Sequence, residues 1–140
     1  MIILDTNVVS ALMRLHMEPV VERWFNAQQM NWLYATALTI FEIRHGIDAM
    51  PAGKRRTANE GAFSLVMTSV LSSQIFNLDV TASNAAGVIF AKRHRRGEQP
   101  GAIDCLIAGI ALMQGAKIAT RNIKDFANLD IEIINPWLDA

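Results

Sequence analysis

Met1-Ile2-Ile3-Leu4-Asp5-Thr6-Asn7 reads as a short buried strand that runs directly into a polar turn able to start a helix. The same alternation continues along the chain. Residues 19–28 carry Val20, Val21, Trp24 and Phe25 at helical spacing, with Pro19 suited to a first turn. Residues 32–35 form a second strand, and residues 36–50 a helix with Ile40, Ile43 and Ile47 on one face, stopped by Pro51-Ala52-Gly53. Residues 54–72 begin basic and become apolar through Phe63, Leu65, Val66, Val70 and Leu71, an amphipathic helix followed by a short strand at 74–77. Residues 80–96 are helical and end in Lys92-Arg93-His94-Arg95-Arg96-Gly97, where positive charge suits a helix C-terminus. After Pro100-Gly101, residues 102–114 repeat Ile103, Leu106, Ile107, Ile110 and Met113 at helical spacing, with Gly115 as the C-cap. Residues 117–120 and 131–134 add two short strands.

Strands alternating with helices predict an α/β fold, with a mostly parallel sheet covered by helices on both faces. The 140 residues suffice for one domain, 1–140, that removes roughly two thirds of its unfolded surface from water. Hydrophobic residues make up 51% of the chain but are interleaved with charges, so no transmembrane segment is expected. The first residues lack a basic leader and the apolar run is interrupted by Asp5, unlike a secretory signal, so a cytoplasmic location is expected. Cys105 is the only cysteine, which excludes an intramolecular disulfide and a zinc site of paired thiolates; it reads as a small buried hydrophobe. Thirteen basic and thirteen acidic side chains cancel, so a polyanion would have to be attracted by local patches.

In such a sheet the functional site lies beyond the carboxyl ends of the strands. Asp5 directly follows the first strand, Glu42 lies in the first turns of the helix after the second, and Asp104 opens the helix after Pro100-Gly101. Asp125 follows the 117–120 strand at a short distance. Two carboxylates ~4 Å apart repel by about 4 kcal/mol at an effective dielectric near 20, so several persist together only around bound positive charge. Hard oxygen ligands favour Mg2+ or Mn2+. Each acid also has an ordinary structural reading. Asp5 or Thr6 caps the following helix, Thr39 and Glu42 have capping-box spacing, Asp104 is a first-turn acid, and Asp125 is a loop or cap residue. The small residues Ala108 and Ala111 beyond Asp104, and Gly46 beyond Glu42, permit close helix approach on the same faces.

Taken in order, Ile2-Ile3-Leu4-Asp5-Thr6-Asn7, Thr39-Ile40-Phe41-Glu42-Ile43-Arg44-His45-Gly46, Asp104-Cys105-Leu106-Ile107-Ala108 and Ala119-Thr120-Arg121-Asn122-Ile123-Lys124-Asp125-Phe126 resemble the PIN-domain nucleases. The likeness is greatest to the VapC and FitB-like toxins of bacterial toxin–antitoxin pairs, and it extends to Pro51-Ala52-Gly53-Lys54-Arg55-Arg56 and Ile134-Asn135-Pro136-Trp137. The resemblance implies a three-layer α/β/α domain whose acidic pocket binds Mg2+ or Mn2+ and cleaves RNA. It makes Asp5, Glu42 and Asp104 the metal ligands and adds Asp125 and Thr120 to the catalytic set. Thr6 and Asn7 would orient Asp5 or a bound water, and Thr120 would hydrogen-bond a water or a carboxylate. FitB-like sequences can carry an aspartate immediately after the Thr-Arg pair, where this chain has Asn122; Asp125, three residues later, stands as in many VapC-like sequences. Whether one ion or two bind stays open.

The basic segments Lys54-Arg55-Arg56 and Lys92-Arg93-His94-Arg95-Arg96 would either steer an RNA backbone toward the pocket or form an ordinary solvated surface. His16, His45 and His94 have no metal-ligand spacing. By the same resemblance the chain should form a homodimer and bind a small antitoxin, through which alone it would reach operator DNA. Ala85, Ala86 and Gly87 would suit close packing at that subunit interface or within one chain. Two other readings remain: a non-catalytic PIN-like binding module, suggested by Asn122, and a phosphatase or phosphotransferase with Asp5 as nucleophile. Asn7 stands against the paired-aspartate form of the latter.

Overall fold

Five parallel strands form one sheet in the order β3-β2-β1-β4-β5. They are β1 (Ile2–Leu4), β2 (Leu33–Thr36), β3 (Ile75–Phe76), β4 (Lys117–Ala119) and β5 (Ile133–Ile134). Residues 1–138 are described in this computed structural model. β1 occupies the centre because it has no polar side to show: Ile2, Ile3 and Leu4 are all buried, as a strand covered on both faces requires. Its register sets Ile3 beside Tyr34 on one side and Ile118 on the other.

Side chains alternate across this strand. Ile2 and Leu4 pack with Val8, Val9, Trp24, Ile43, Ile47 and Phe63, which come from α1 (Thr6–Leu12), α2 (Pro19–Asn26), α3 (Ala37–Asp48) and α4 (Lys54–Val66). Ile3 and Ile118 point the other way, onto Ile89, Ile107, Ile110 and Ala111 of α5 (Val80–Arg95) and α6 (Ala102–Gln114). The result is the three-layer α/β/α arrangement expected from the sequence. No helix among the described residues is long and apolar enough to cross a membrane.

Differences from the expected elements are local. α1 is a true helix where the sequence indicated only a polar turn able to begin one, and α4 gives way to a π-helical turn over Met67–Leu71. β5 is confined to Ile133–Ile134 rather than 131–134. Gly115 ends α6 in the left-handed region at φ 60°, and the Ala116 N–H reaches back to the Ala111 carbonyl at 3.0 Å.

The strand order places a topological switch between β1 and β4. From β1 the chain moves outward to β2 and β3, then returns to the other side of β1 with β4. In sheets of this kind the functional crevice lies beyond the carboxyl ends of the strands at such a switch, here β1 and β4. Asp5 leaves the first of these ends and Thr120 the second.

On the far side of the sheet, α5 and α6 pack very closely. A Cβ added at Gly109 would lie 2.4 Å from the Ala82 carbonyl oxygen and 2.9 Å from the Ala86 Cβ, so the helices meet through a position that admits no side chain. Ala86 therefore serves packing within one chain. Gly109→Ala should lower unfolding free energy in urea by about 2 kcal/mol, the overpacking cost exceeding the helix-propensity gain of about 1 kcal/mol. Gly61→Ala, in α4 with nothing within 4 Å of the added carbon, should instead be neutral or stabilising by up to about 1 kcal/mol.

Candidate active site

Asp5 is 4% exposed, and the local sequence accounts for its orientation. As N-cap of α1 it accepts the Thr6 N–H on Oδ1 at 2.8 Å. Its other oxygen accepts the Thr120 hydroxyl at 2.7 Å and the Asn7 side-chain amide at 3.2 Å. Asn7 also donates to Thr120 Oγ1 at 3.2 Å, and its own Oδ1 accepts the Arg121 N–H at 3.1 Å. Thr120, fully buried, receives the Asn122 N–H at 3.0 Å. The helix-cap reading and the site reading of Asp5 thus hold together: one oxygen caps α1 and the other is gripped from β4. Burial raises the Asp5 pKa above its ordinary value; the Thr120 and Thr6 hydrogen bonds oppose that shift, while Glu42 and Asp125 add to it.

Glu42 is not half of a capping box with Thr39. The N-cap of α3 is Thr36, whose hydroxyl accepts the Thr39 N–H at 3.4 Å, which puts Glu42 beyond the first turn. Glu42 Oε1 instead accepts the Thr6 hydroxyl at 2.6 Å, while Thr6 and Thr39 hydroxyls lie 3.1 Å apart. This bond ties α3 to the start of α1, so adjacent residues Asp5 and Thr6 organise two of the acids. Gly46, one turn on, faces open space, so no helix packs closely against it.

Asp104 lies in the first turn of α6, its Oδ2 folded back over Gly101, where a Cβ would stand 3.1 Å away. Its pKa is raised to about 6, first by burial and then by Asp5, Asp125 and Glu42, with Arg93 opposing. The four acids are therefore brought into one electrostatic neighbourhood from the end of β1, the second turn of α3, the first turn of α6 and the turn after β4. Among the described residues no three ligand-type side chains stand close enough to hold an ion as they are. All-oxygen donors, the raised pKa values of Asp5 and Asp104, and no ion pair to any of these acids among the described residues fit a hard divalent cation.

Arg93 departs from the expected solvated basic stretch. It is 6% exposed and turned inward, donating to the backbone carbonyls of Asp125 and, at 3.0 Å, Ala127. It therefore clamps the turn that carries Asp125 onto α5 and is withdrawn from any external phosphate. The signal was present in the spacing: Ala82, Ala86, Ile89 and Arg93 share one buried helical stripe. Lys92, His94, Arg95 and Arg96 are exposed, and the His94 ring stands edge-on to Phe90.

A three-layer α/β/α domain with a parallel sheet and carboxylates gathered at the switch between its central strands is the class of fold that these elements define. Residues 2–132 match the PIN domain, and the chain belongs to the PIN-domain family. It is 36% identical over 140 residues to the VapC ribonuclease Y4jK of Sinorhizobium fredii, with both chains covered completely. It is 30% identical to the toxin FitB of Neisseria gonorrhoeae, covering 99% of this chain and 100% of that one. The structure of FitAB bound to an IR36 DNA fragment superposes with a TM-score of 0.87 at 26% identity, covering 98% of this chain and 96% of the other.

The buried guanidinium makes the contribution of α5 measurable. Arg93→Met strips two carbonyls of a charged donor and should cost about 3 kcal/mol in guanidinium denaturation. Arg95→Ala, on the exposed side of the same helix, should stay within about 0.5 kcal/mol of the parent protein.

Proposed function

We propose that this chain is a toxin-type endoribonuclease that hydrolyses RNA phosphodiester bonds with Mg2+ or Mn2+ held by Asp5, Glu42 and Asp104. The observation that carries the reading is the convergence of Asp5, Glu42, Asp104 and Asp125 from four separate segments: Asp104 is pushed up to about 6 first by burial and then by the other three acids. Several carboxylates gathered in this way, with no cationic side chain paired to them among the described residues, are well matched to a bound divalent cation. When bound, the ion would supply an acidified water and offset charge on the scissile phosphate.

The chain's own residues do the positioning. Thr120, Asn7 and the Thr6 N–H hold Asp5 in one orientation, and the Thr6 hydroxyl holds Glu42. Asp125, presented by the turn that Arg93 clamps, supplies the fourth carboxylate in place of the residue occupied by Asn122. No side-chain nucleophile is needed. Asp5 is a poor candidate for a phosphate-accepting nucleophile, since Asn7 stands where a paired-aspartate site would carry its second acid.

The relatives support partners as well as chemistry. A small antitoxin would bind the homodimeric toxin in the cytoplasm, cover the acidic pocket and carry the contact with operator DNA, consistent with a FitAB neighbour solved on a DNA fragment.

Asp5→Asn and Asp104→Asn should each lower Mg2+- or Mn2+-dependent RNA cleavage at least about 100-fold, with Asp104→Asn leaving the fold intact and Asp5→Asn also losing stability because its amide would face the Thr120 and Asn7 donors; wild-type rates in either variant would refute the assignment. Thermal melts give an independent check. Asp104 ionises at about 6 in the metal-free fold against an ordinary 3.8, so its stabilising contribution is complete below about pH 4 and disappears as pH rises through 6. Asp104→Asn cannot ionise. In EDTA it should therefore melt above the wild type at pH 8, with the difference vanishing toward pH 4, and millimolar Mn2+ should reverse the order at pH 8.

A further inference from the structure

Arg121 and Trp137 form a feature that the acidic site does not absorb. Arg121 leaves the end of β4 immediately after Thr120, and Trp137 lies beyond the end of the neighbouring β5. The Arg121 guanidinium sits 5.0 Å from the centre of the Trp137 ring. That ring is fixed in turn: its indole N–H donates to Glu18 Oε1 at 3.0 Å, and the Trp137 backbone N–H donates to Asn135 Oδ1 at 3.0 Å. At the other end, the Arg121 backbone N–H is bound to Asn7, the residue that also grips Asp5.

Arg121 is exposed, and no ion pair holds it among the described residues. A guanidinium over an indole ring is held by a cation–π attraction that uses none of its N–H donors, and those donors form a planar fork that matches two oxygens of one phosphate. The neighbouring carboxylates would repel an approaching RNA strand, so a cation oriented at their border has a specific use. With Arg93 turned inward, the helical basic stretch supplies less of this attraction than its sequence suggests.

We propose that Arg121, braced by Trp137 and Glu18, is a phosphate-binding site that seats the RNA backbone at the β4–β5 side of the acidic crevice. This rests on the ribonuclease reading and names the group that would hold its substrate. The ligand is a nonbridging phosphate oxygen pair of single-stranded RNA, read without regard to base.

The test measures binding of a fluorescein-labelled single-stranded RNA of mixed sequence to Asp104→Asn protein, with and without changes at Arg121, between 50 and 250 mM NaCl (about the range over which phosphate contacts are resolved). Arg121→Ala should weaken binding about tenfold and reduce the slope of log affinity against log salt by about 0.7, the value for one phosphate on a single strand. Arg121→Lys should restore the slope but only part of the affinity, because a lysine keeps the charge and loses the stacked fork. Both variants should keep the melting temperature and Mn2+ affinity of their parent. Unchanged affinity and slope in Arg121→Ala would overturn the proposal while leaving the ribonuclease reading intact, provided the wild type cleaves RNA. A lysine variant equal to the parent would overturn the oriented fork in favour of diffuse charge. A wild-type protein that neither binds nor cleaves RNA with Mg2+ or Mn2+ would overturn both.

Discussion

Mutual repulsion among carboxylates at the carboxyl edge of one parallel sheet is the constraint that organises the site. The backbone brings Asp5, Glu42, Asp104 and Asp125 together because strands that run in one direction release their chains at one edge, and the helices that follow begin there. Burial and like charge both push Asp104 upward against the opposing charge of Arg93, and at Asp5 burial outweighs the hydrogen bonds from Thr120 and Thr6. The folded chain thus stores an unfavourable field in a small crevice, which a hard cation would relieve. The rest of the layered fold withstands that field through apolar packing on both faces of β1.

Arg93 and Gly109 show how the far layer takes part. Gly109 lets α6 approach α5 so closely that Ala82 and Ala86 leave no room between them. Asp104 at the start of α6 and Arg93 near the end of α5 are consequently held in one rigid pair, and Arg93 extends that pair to the Asp125 turn through two backbone carbonyls. The location of the fourth acid therefore depends on a helix that contributes no carboxylate of its own.

Much of this architecture was legible from residue order. Hydrophobic periodicity identified the long helices, and α6 was bounded correctly at 102–114 because Pro100-Gly101 and Gly115 punctuate it chemically. Asp5, Glu42 and Asp104 stood out as acids at the expected edge. What sequence could not carry was side-chain direction between segments. Thr39-x-x-Glu42 imitates a capping box, but the true cap lies one turn earlier at Thr36, and the partner of Glu42 is Thr6, 36 positions away. Arg93 was hidden for the opposite reason: its run of basic neighbours suggested solvent, whereas its place on the Ala82, Ala86, Ile89 stripe pointed inward. The Arg121–Trp137 contact joins the exits of two strands and has no local signature.

The hydrogen bonds around Thr120 have a fixed polarity. Asn7 must present its carbonyl oxygen to the Arg121 N–H, so its NH2 group is committed to Asp5 and Thr120. With the Asn122 N–H also directed at it, the Thr120 hydroxyl has both lone pairs engaged, and its single hydrogen can turn only toward Asp5. Every rotor in the cluster is thereby locked by a backbone amide outside it. The protein writes the direction of its own protons into the main chain, and a donor placed where Asp5 stands would meet hydrogens from every side.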